Sequence, residues 1–203
     1  MLETLRDLGI ANDTLVFFSS DNGPWLTYDQ HGGSAGLLRD GKGSTWEGGM
    51  REPTLAWWPG KIKAGSVSQE LGSTMDIYTT AVKLSGGDVP QDRVVDGVDL
   101  RPFLFGEGPS PRQTTFYYRG TQLRAVRKGP WKAHFVTQTA YRRGEKPQTH
   151  DPPLLFHLEN DPSEKYDVSK DHPDVIADLR AEVEKHQSNL EAPPSQLEIP
   201  LSE

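Results

Sequence analysis

The run Thr14-Leu15-Val16-Phe17-Phe18-Ser19-Ser20-Asp21-Asn22-Gly23 decides the fold. Its first six residues are a short apolar stretch with β-branched and aromatic character, which reads as a buried strand from the middle of an α/β sheet. Its end turns polar, and side chains at the carboxyl end of such a strand project into the crevice where α/β proteins bind ligands. Neighbouring side chains on a strand point to opposite faces, so Asp21 and Asn22 can share a ligand only if the strand has already ended. Gly23 permits the bend that this requires. A carboxylate beside an amide carbonyl supplies two hard oxygens suited to Ca²⁺ or Mg²⁺, although Ca²⁺ takes about six to eight. Taken alone, the tripeptide reads first as a plain turn, because Asn-Gly is a common turn dipeptide.

Working outward, Leu2, Leu5 and Leu8 followed by Gly9 read as the last turns of an amphipathic helix. Helix then buried strand suggests the end of a βαβ unit whose beginning is not in this chain. Residues 20–49 are rich in Gly, Ser, Asp and Asn, and a loop of that length is often functional. Thr54-Leu55-Ala56-Trp57-Trp58 before Pro59-Gly60 predicts a second strand. Ser73-Thr74-Met75-Asp76 resembles a capping box and opens a helix that stops at Gly86-Gly87. Residues 88–113 read as a connector.

Beyond it, Thr115–Tyr118, Leu123–Arg127 and Trp131–Val136 are short strand candidates separated by Gly-containing turns, which predicts an antiparallel meander. A polar segment, 138–153, precedes a fourth strand at Leu154–Leu158, which Asp161-Pro162 ends. Pro173 fits the first turn of a helix carrying Val175, Ile176, Leu179, Val183 and Leu190 as its apolar stripe. The tail from Ala192, with Pro193, Pro194 and Pro200, cannot continue it. The expected architecture is α/β. A partial α/β sheet spans 1–110, and a small α+β subdomain with an antiparallel sheet and a C-terminal helix spans 111–203. A sheet lacking its earlier strands would expose an unpaired edge and an apolar face, which favours aggregation of the chain on its own.

Composition removes several classes of function. The 203 residues carry 29 acids against 22 bases, a net charge of −7, which argues against a general nucleic-acid binder. No apolar run approaches the roughly 18 residues that cross a bilayer, so no membrane partner is expected. Met1-Leu2-Glu3-Thr4-Leu5-Arg6 lacks the apolar core of a signal peptide. The absence of Cys excludes disulfides, thiolate metal sites and Cys nucleophiles within this chain, and leaves the compartment unreadable from cysteine usage.

Lys42 stands in Gly41-Lys42-Gly43-Ser44-Thr45, where flanking glycines let the backbone approach a ligand and the ammonium acts as a compact anion receptor. Gly36 and Gly41 fit a phosphate-binding loop, but Gly43 stands where its hydroxyl residue belongs. A loop lysine is otherwise a solubilising charge. The six histidines, His31 in the long loop and His134 and His157 on strands among them, show no metal spacing, and each reads as packed or superficial. Arg124, Arg127, Lys128 and Lys132 form a basic stretch expected to be a solvated sheet face. Tyr141, Arg142 and Arg143 in the segment 138–153 are candidates for substrate recognition or for a plain connection between strands.

Taken together, Phe17–Pro24 and the later Gly36-Leu37-Leu38-Arg39-Asp40-Gly41-Lys42-Gly43-Ser44-Thr45-Trp46-Glu47-Gly48-Gly49-Met50-Arg51-Glu52-Pro53 resemble the sulfatase family. The likeness continues through Leu55–Gly60, Asp96–Leu100, Phe116–Gly120, Trp131–Phe135 and Pro153–Leu158. It is strongest toward the branch of arylsulfatase A and N-acetylgalactosamine-6-sulfatase. The resemblance implies an alkaline-phosphatase-like sheet and hydrolysis of a sulfate ester on a sulfated small molecule or glycan. It implies a formylglycine nucleophile, made from Cys or Ser in a C-x-P-S-R-type motif, and Ca²⁺. Asp21 and Asn22 match the family's second pair of metal ligands, and Lys42 matches the lysine that contacts the sulfate.

This chain has no Cys and no S-x-P-x-R pattern, and it lacks the family's upstream acidic ligands and its catalytic His and Lys. The expectation is therefore a C-terminal sulfatase portion, inactive alone, whose partner is the missing N-terminal portion. Family habit suggests periplasm, extracellular space or lysosome. Two other classes compete: a phosphate-ester hydrolase of the alkaline phosphatase superfamily, and a nonenzymatic module that binds sulfated glycans.

Overall fold

The computed structural model describes residues 1–141 and 144–190. The elements are α1 (Leu2–Asp7), β1 (Val16–Ser19), α2 (Glu47–Met50), β2 (Thr54–Trp57), α3 (Thr74–Leu84), α4 (Arg101–Leu104), β3 (Thr114–Arg119), β4 (Gln122–Lys128), β5 (Trp131–Thr137), β6 (Gln148–His157) and α5 (Pro173–Ser188). The fold is α/β, with two antiparallel sheets and a C-terminal helix. One sheet pairs β1 with β2, and the other runs in the order β3-β4-β5-β6.

The first sheet departs from the buried central strand expected of Thr14–Ser19. Among the described residues β1 pairs with β2 alone, antiparallel, with Phe18 opposite Leu55. Those two side chains are 68% and 66% exposed. A strand is buried on both faces only when elements cover both, and β2 covers one edge and neither face. Ser19 and Thr54 close the far end of the pair through a hydroxyl contact of 2.8 Å.

Helix α3 begins where its capping residues place it. The Ser73 hydroxyl accepts from the Met75 N–H at 3.3 Å, and the Asp76 carboxylate accepts from the Ser73 N–H at 2.8 Å, which satisfies two of the donors a helix start leaves open. Asp76 also accepts from the Val98 N–H and from Arg112, whose guanidinium donates in turn to the Asp96 carbonyl. One buried carboxylate thus caps a helix and pins the segment that follows it. The connector 88–113 contains one feature that the sequence reading left out, the single helical turn α4, with Pro102 in its first turn.

The four-stranded sheet has two distinct faces, and its register assigns them. Phe116, Val126, Ala133 and Leu155 stand opposite one another and pack with Ile176, Leu179 and Val183 of α5. Full burial of a leucine such as Leu155 or Leu179 contributes about 2 kcal/mol. Leu190 does not join the stripe, because α5 ends at Ser188 and Leu190 is exposed. On the other face stand Tyr117, Ala125, His134 and Leu154, and beside them Arg127, Lys132 and Phe156. That face covers the segment around α2, with Trp46 packed on Phe156 and Leu158.

Strand β6 begins at Gln148, inside the segment expected to be polar loop. Pro152 and Pro153 lie within it, and prolines are tolerated because β6 is the sheet's edge. The pairing jumps from Leu154 opposite His134 to Thr149 opposite Val136 and so absorbs the irregularity. Among the described residues no helix is long and apolar enough to cross a membrane. Arg142, Arg143 and the proline-rich tail from Ala192 lie outside the described residues.

Candidate active site

Strand β1 ends at Ser19, two residues before Asp21, so the constraint that would split Asp21 from Asn22 is lifted. The Asn22 amide nitrogen Nδ2 donates to Asp21 Oδ2 at 2.6 Å, and the Ser20 hydroxyl donates to the Asn22 carbonyl at 2.8 Å. The two side chains therefore lie together at the strand's carboxyl end. Glu52 joins them electrostatically. Burial raises its carboxyl above the usual range, and the charge of Asp21 raises it further. Its Oε1 is buried without a hydrogen-bond partner.

Lys42 is exposed, and its backbone is bound to the segment that follows Asp21 and Asn22. The Lys42 N–H donates to the Pro24 carbonyl at 2.9 Å, and the Gly23 N–H donates to the Gly49 carbonyl at 3.3 Å. The approach is so close that a Cβ on Gly23 would run into the Gly48 carbonyl. Left-handed backbone at Asp40 (φ 63°) and Gly43 (φ 90°) turns the chain sharply on either side of the lysine. The Lys42 ammonium stands 5.4 Å from the ring centroid of Trp25, which is half exposed. Tyr141, from the segment between β5 and β6, clamps this arrangement. Its hydroxyl donates to the Pro24 carbonyl at 3.0 Å and accepts from the Leu26 N–H at 3.3 Å.

Beneath the Lys42 loop lies a buried charge network. Glu47, Lys132, His134 and Glu164 have no exposed surface, and Arg127 is nearly buried. The Lys132 ammonium donates to Glu47 Oε1 at 2.8 Å and to the Thr45 carbonyl at 2.8 Å, and lies 3.2 Å from Glu164 Oε1. Arg127 reaches Glu47 Oε2 at 3.3 Å, and the Tyr117 hydroxyl donates to Glu47 Oε1 at 3.1 Å. Glu164 Oε2 accepts from the Glu47 N–H at 2.7 Å, and its Oε1 meets His134 Nε2 at 2.6 Å. Two carboxylates and two cations balance, provided the imidazole is neutral. Burial, followed by the charge of Lys132, depresses His134 to about 4. Burial alone would raise Glu164, but Lys132 and His134 hold it at about 2. Arg39 extends the network by donating to the Glu164 carbonyl at 2.8 Å while its guanidinium covers the Trp46 ring.

This network corrects the expectation of a solvated basic face. Arg124 and Arg127 are 7% exposed and Lys132 is fully buried, whereas Lys128 alone reaches outward, to Asp178 and Glu182 of α5. Arg127 and Lys132 turn inward because Glu47 and Glu164 meet them there, and buried charges persist only when paired; Arg124 instead donates to Gln138 Oε1 at 3.2 Å. Residue spacing gave no sign of this pairing, since Glu47 and Lys132 lie 85 positions apart. The one available signal was a pair of cations at Arg127 and Lys132, facing one another across two strands, with a sequence run containing Glu47 close to Lys42. His31 is exposed, while His157 and His172 pack on Trp131 and His186 stacks on Phe116. Among the described residues no three His, Cys, Asp or Glu side chains are grouped to hold a metal.

Residues 1–87 match the sulfatase family model, and residues 110–201 match the model of the C-terminal region of aryl-sulfatase. The chain is 42% identical to N-acetylgalactosamine-6-sulfatase of Canis lupus familiaris over 98% of its own length and 42% of that protein's. It is 46% identical to arylsulfatase A of Bos taurus, over 83% of its length and 36% of that protein's. The solved PsFucS1 sulfatase from Pseudoalteromonas sp. superposes with a TM-score of 0.83 at 31% identity, over 92% of this chain and 39% of that one. The chain thus spans less than half the length of these relatives. With both models matching in order along the chain and the same fold recurring in a solved sulfatase, the chain belongs to the sulfatase family.

Proposed function

We propose that this chain forms one wall of a site that hydrolyses sulfate esters, with Lys42 holding the sulfate group and Asp21 and Asn22 facing a divalent cation. The observation that carries the reading is the backbone bond from Lys42 to Pro24, beside the paired side chains of Asp21 and Asn22. It holds the backbone of the segment that carries the ammonium against the segment that carries the two oxygen donors. A sulfate ester is an anion whose nonbridging and leaving-group oxygens carry the charge in the transition state. A preorganised cation aimed at those oxygens lowers the barrier.

The residues present fit a cation on that turn. Asp21 contributes a carboxylate, Asn22 would bring its amide oxygen to the same ion by turning over the amide that now donates to Asp21, and Glu52 suffers from a neighbouring negative charge that a cation would neutralise. Ca²⁺ suits these hard oxygen donors, but it takes about six to eight, so the remainder must come from residues other than these. When bound, it would add charge neutralisation at the sulfate oxygens and lower the pKa of a coordinated hydroxyl. With no Cys in the chain and no S-x-P-x-R pattern, the nucleophile of this reading comes from outside these 203 residues, as the formylglycine of a sulfatase. The role left to these residues is to bind and orient. Sulfated sugars and aryl sulfates are the substrate classes to which the names of the relatives point.

Calorimetric titration of the 203-residue chain with inorganic sulfate at low ionic strength tests the reading. The wild type binds weakly, and Lys42→Ala loses at least about tenfold in affinity, the value of one charge-assisted contact of about 1.5 kcal/mol. Equal affinities would remove Lys42 from the site. Added alone to an aryl sulfate, the chain gives no multiple turnover.

A further inference from the structure

Strand β4 carries an extra residue where it pairs with β3. Tyr117 stands opposite Ala125 and Tyr118 opposite Leu123, so Arg124 has no counterpart on the facing strand. A bulge of this kind re-aims a side chain, and bulges recur beside functional sites. Arg124 is 7% exposed, and its Nη1 donates to Gln138 Oε1 at 3.2 Å. Gln138 Nε2 donates in turn to the Glu145 carbonyl at 2.6 Å. Arg124 Nε is buried without an acceptor, and so is Nη1 of Arg119, the last residue of β3. Among the described residues neither arginine forms an ion pair. Burial lowers the Arg124 guanidinium below its ordinary value, and the charge of Arg119 lowers it further.

The other buried arginines of the chain are matched. Arg112 meets Asp76 and Arg127 meets Glu47. Arg93, Arg101 and Arg112 each turn the edge formed by Nε and Nη2 onto a carboxylate, that of Asp92, Asp99 and Asp76. In Arg124 the bond to Gln138 uses Nη1 and leaves that edge unengaged. A buried charge without a partner costs stability, and groups held at such a cost cluster where a ligand is bound. We infer that Arg124, supported by Arg119, is a receptor for the carboxylate of a ligand, at a site separate from Lys42. Two parallel N–H donors on the guanidinium edge match the two oxygens of a carboxylate. Arg119 adds a further donor and a second positive charge, and the half-buried state of its side chain leaves the pair a way to solvent. The chain's own nearby acid does not fill the place. Glu145 Oε2 is itself buried without a partner, and Glu145 joins the arrangement through its backbone carbonyl alone. None of this depends on Lys42 holding sulfate.

Magnetic resonance of the ¹⁵N-labelled 203-residue chain reads the Arg124 Nε–H and the Gln138 side-chain amide directly. Titration with sodium acetate, against sodium chloride at the same ionic strength, shifts both signals to saturation at millimolar concentration, and chloride does not. Arg124→Lys keeps the charge, loses the fork and weakens acetate by about tenfold, read at Gln138. Arg124→Met abolishes the response and melts no lower than the wild type, because the charge it removes has no partner. Lys42→Ala leaves acetate binding unchanged, so this site and the sulfate reading stand or fall separately. Methyl sulfate carries one negative charge on a tetrahedral head; tighter binding of it than of acetate at Arg124 would overturn the carboxylate assignment. A tetraglutamate peptide at equal carboxylate concentration separates the carriers. Equal affinity assigns a free acid and a gain above about tenfold assigns an acidic polypeptide, and both uphold the carboxylate site. No saturation up to about 100 mM acetate, an equal response to chloride, or equal affinity in Arg124→Lys would overturn the inference. So would an Arg124→Met variant melting more than about 5 °C below the wild type, since the fold would then already be using the guanidinium.

Discussion

Replacing Lys132 by Met probes the buried network most directly. The substitution keeps most of the side chain's volume and removes only the ammonium, which now contacts Glu47, Glu164 and the Thr45 carbonyl with no exposure to water. What remains is two carboxylates against Arg127, a net negative charge in a dry interior. Removing one partner from a buried ion pair costs about 3–5 kcal/mol. For a chain of this size that lowers the melting temperature by roughly 10 °C. The deficit depends on pH in a particular direction. Lys132 is one of the causes that depress His134, so without it the imidazole takes up a proton more readily and supplies the missing charge. The gap between variant and wild type therefore narrows by about 1–2 kcal/mol as pH falls from 7.5 to 5. Adding Glu47→Gln to Lys132→Met restores part of the loss, because one of the stranded carboxylates is gone. Melts followed by circular dichroism at several pH values read all three quantities. A variant that melts within 3 °C of the wild type (about 1 kcal/mol), or a gap that does not change with pH, would refute the account of the network.

Two further outcomes follow from the same geometry. In the wild type, His134 sits below its ordinary value of 6.5, at about 4, so the stability tied to its neutral form is complete above 6.5 and is lost as pH falls toward 4; the shift amounts to about 3 kcal/mol. Glu164, held at about 2 from an ordinary 4.5, loses its contribution lower still, between 4.5 and 2, so thermal melts should be level above pH 7 and fall in two stages, and a flat profile down to pH 4 would contradict the neutral buried imidazole. Tyr141→Phe removes the hydroxyl that joins Pro24 to Leu26; it costs about 1 kcal/mol of stability and weakens sulfate binding, which titration of the variant beside Lys42→Ala would measure.

Much of this fold is written locally. Ser73 and Asp76 announce the start of α3, Gly120 and Gly129 mark the hairpin turns with left-handed backbone, and Ile176, Leu179 and Val183 fall on one side of a helix opened by Pro173. Each of these depends on residues a few positions apart. The pairing of Asp21 with Asn22 was legible for the same reason, once the strand was allowed to stop early. The remainder was not local. Lys132 looks solvated in its own neighbourhood and is buried because Glu47 and Glu164 reach it from other parts of the chain. Pro152 and Pro153 fall in the stretch 138–153 that reads as polar loop, and only the position of β6 at the sheet's edge admits them to a strand. Phe17 and Phe18 read as interior, yet Phe18 has no described residue to cover it, since composition says what a strand can pack against and not what is there.

The balance of charges beneath the Lys42 loop has a bearing on how such a chain can change over generations. The acids of that balance sit at Glu47 and Glu164 and the bases at Arg127 and Lys132, so neither family-matched region, 1–87 or 110–201, is electrically complete by itself. A graft that imports the C-terminal sheet from a distant cousin must bring cations facing the resident glutamate, or it entombs an orphan anion. The two regions are thereby bound to a common inheritance, and drift at one is answerable to the other.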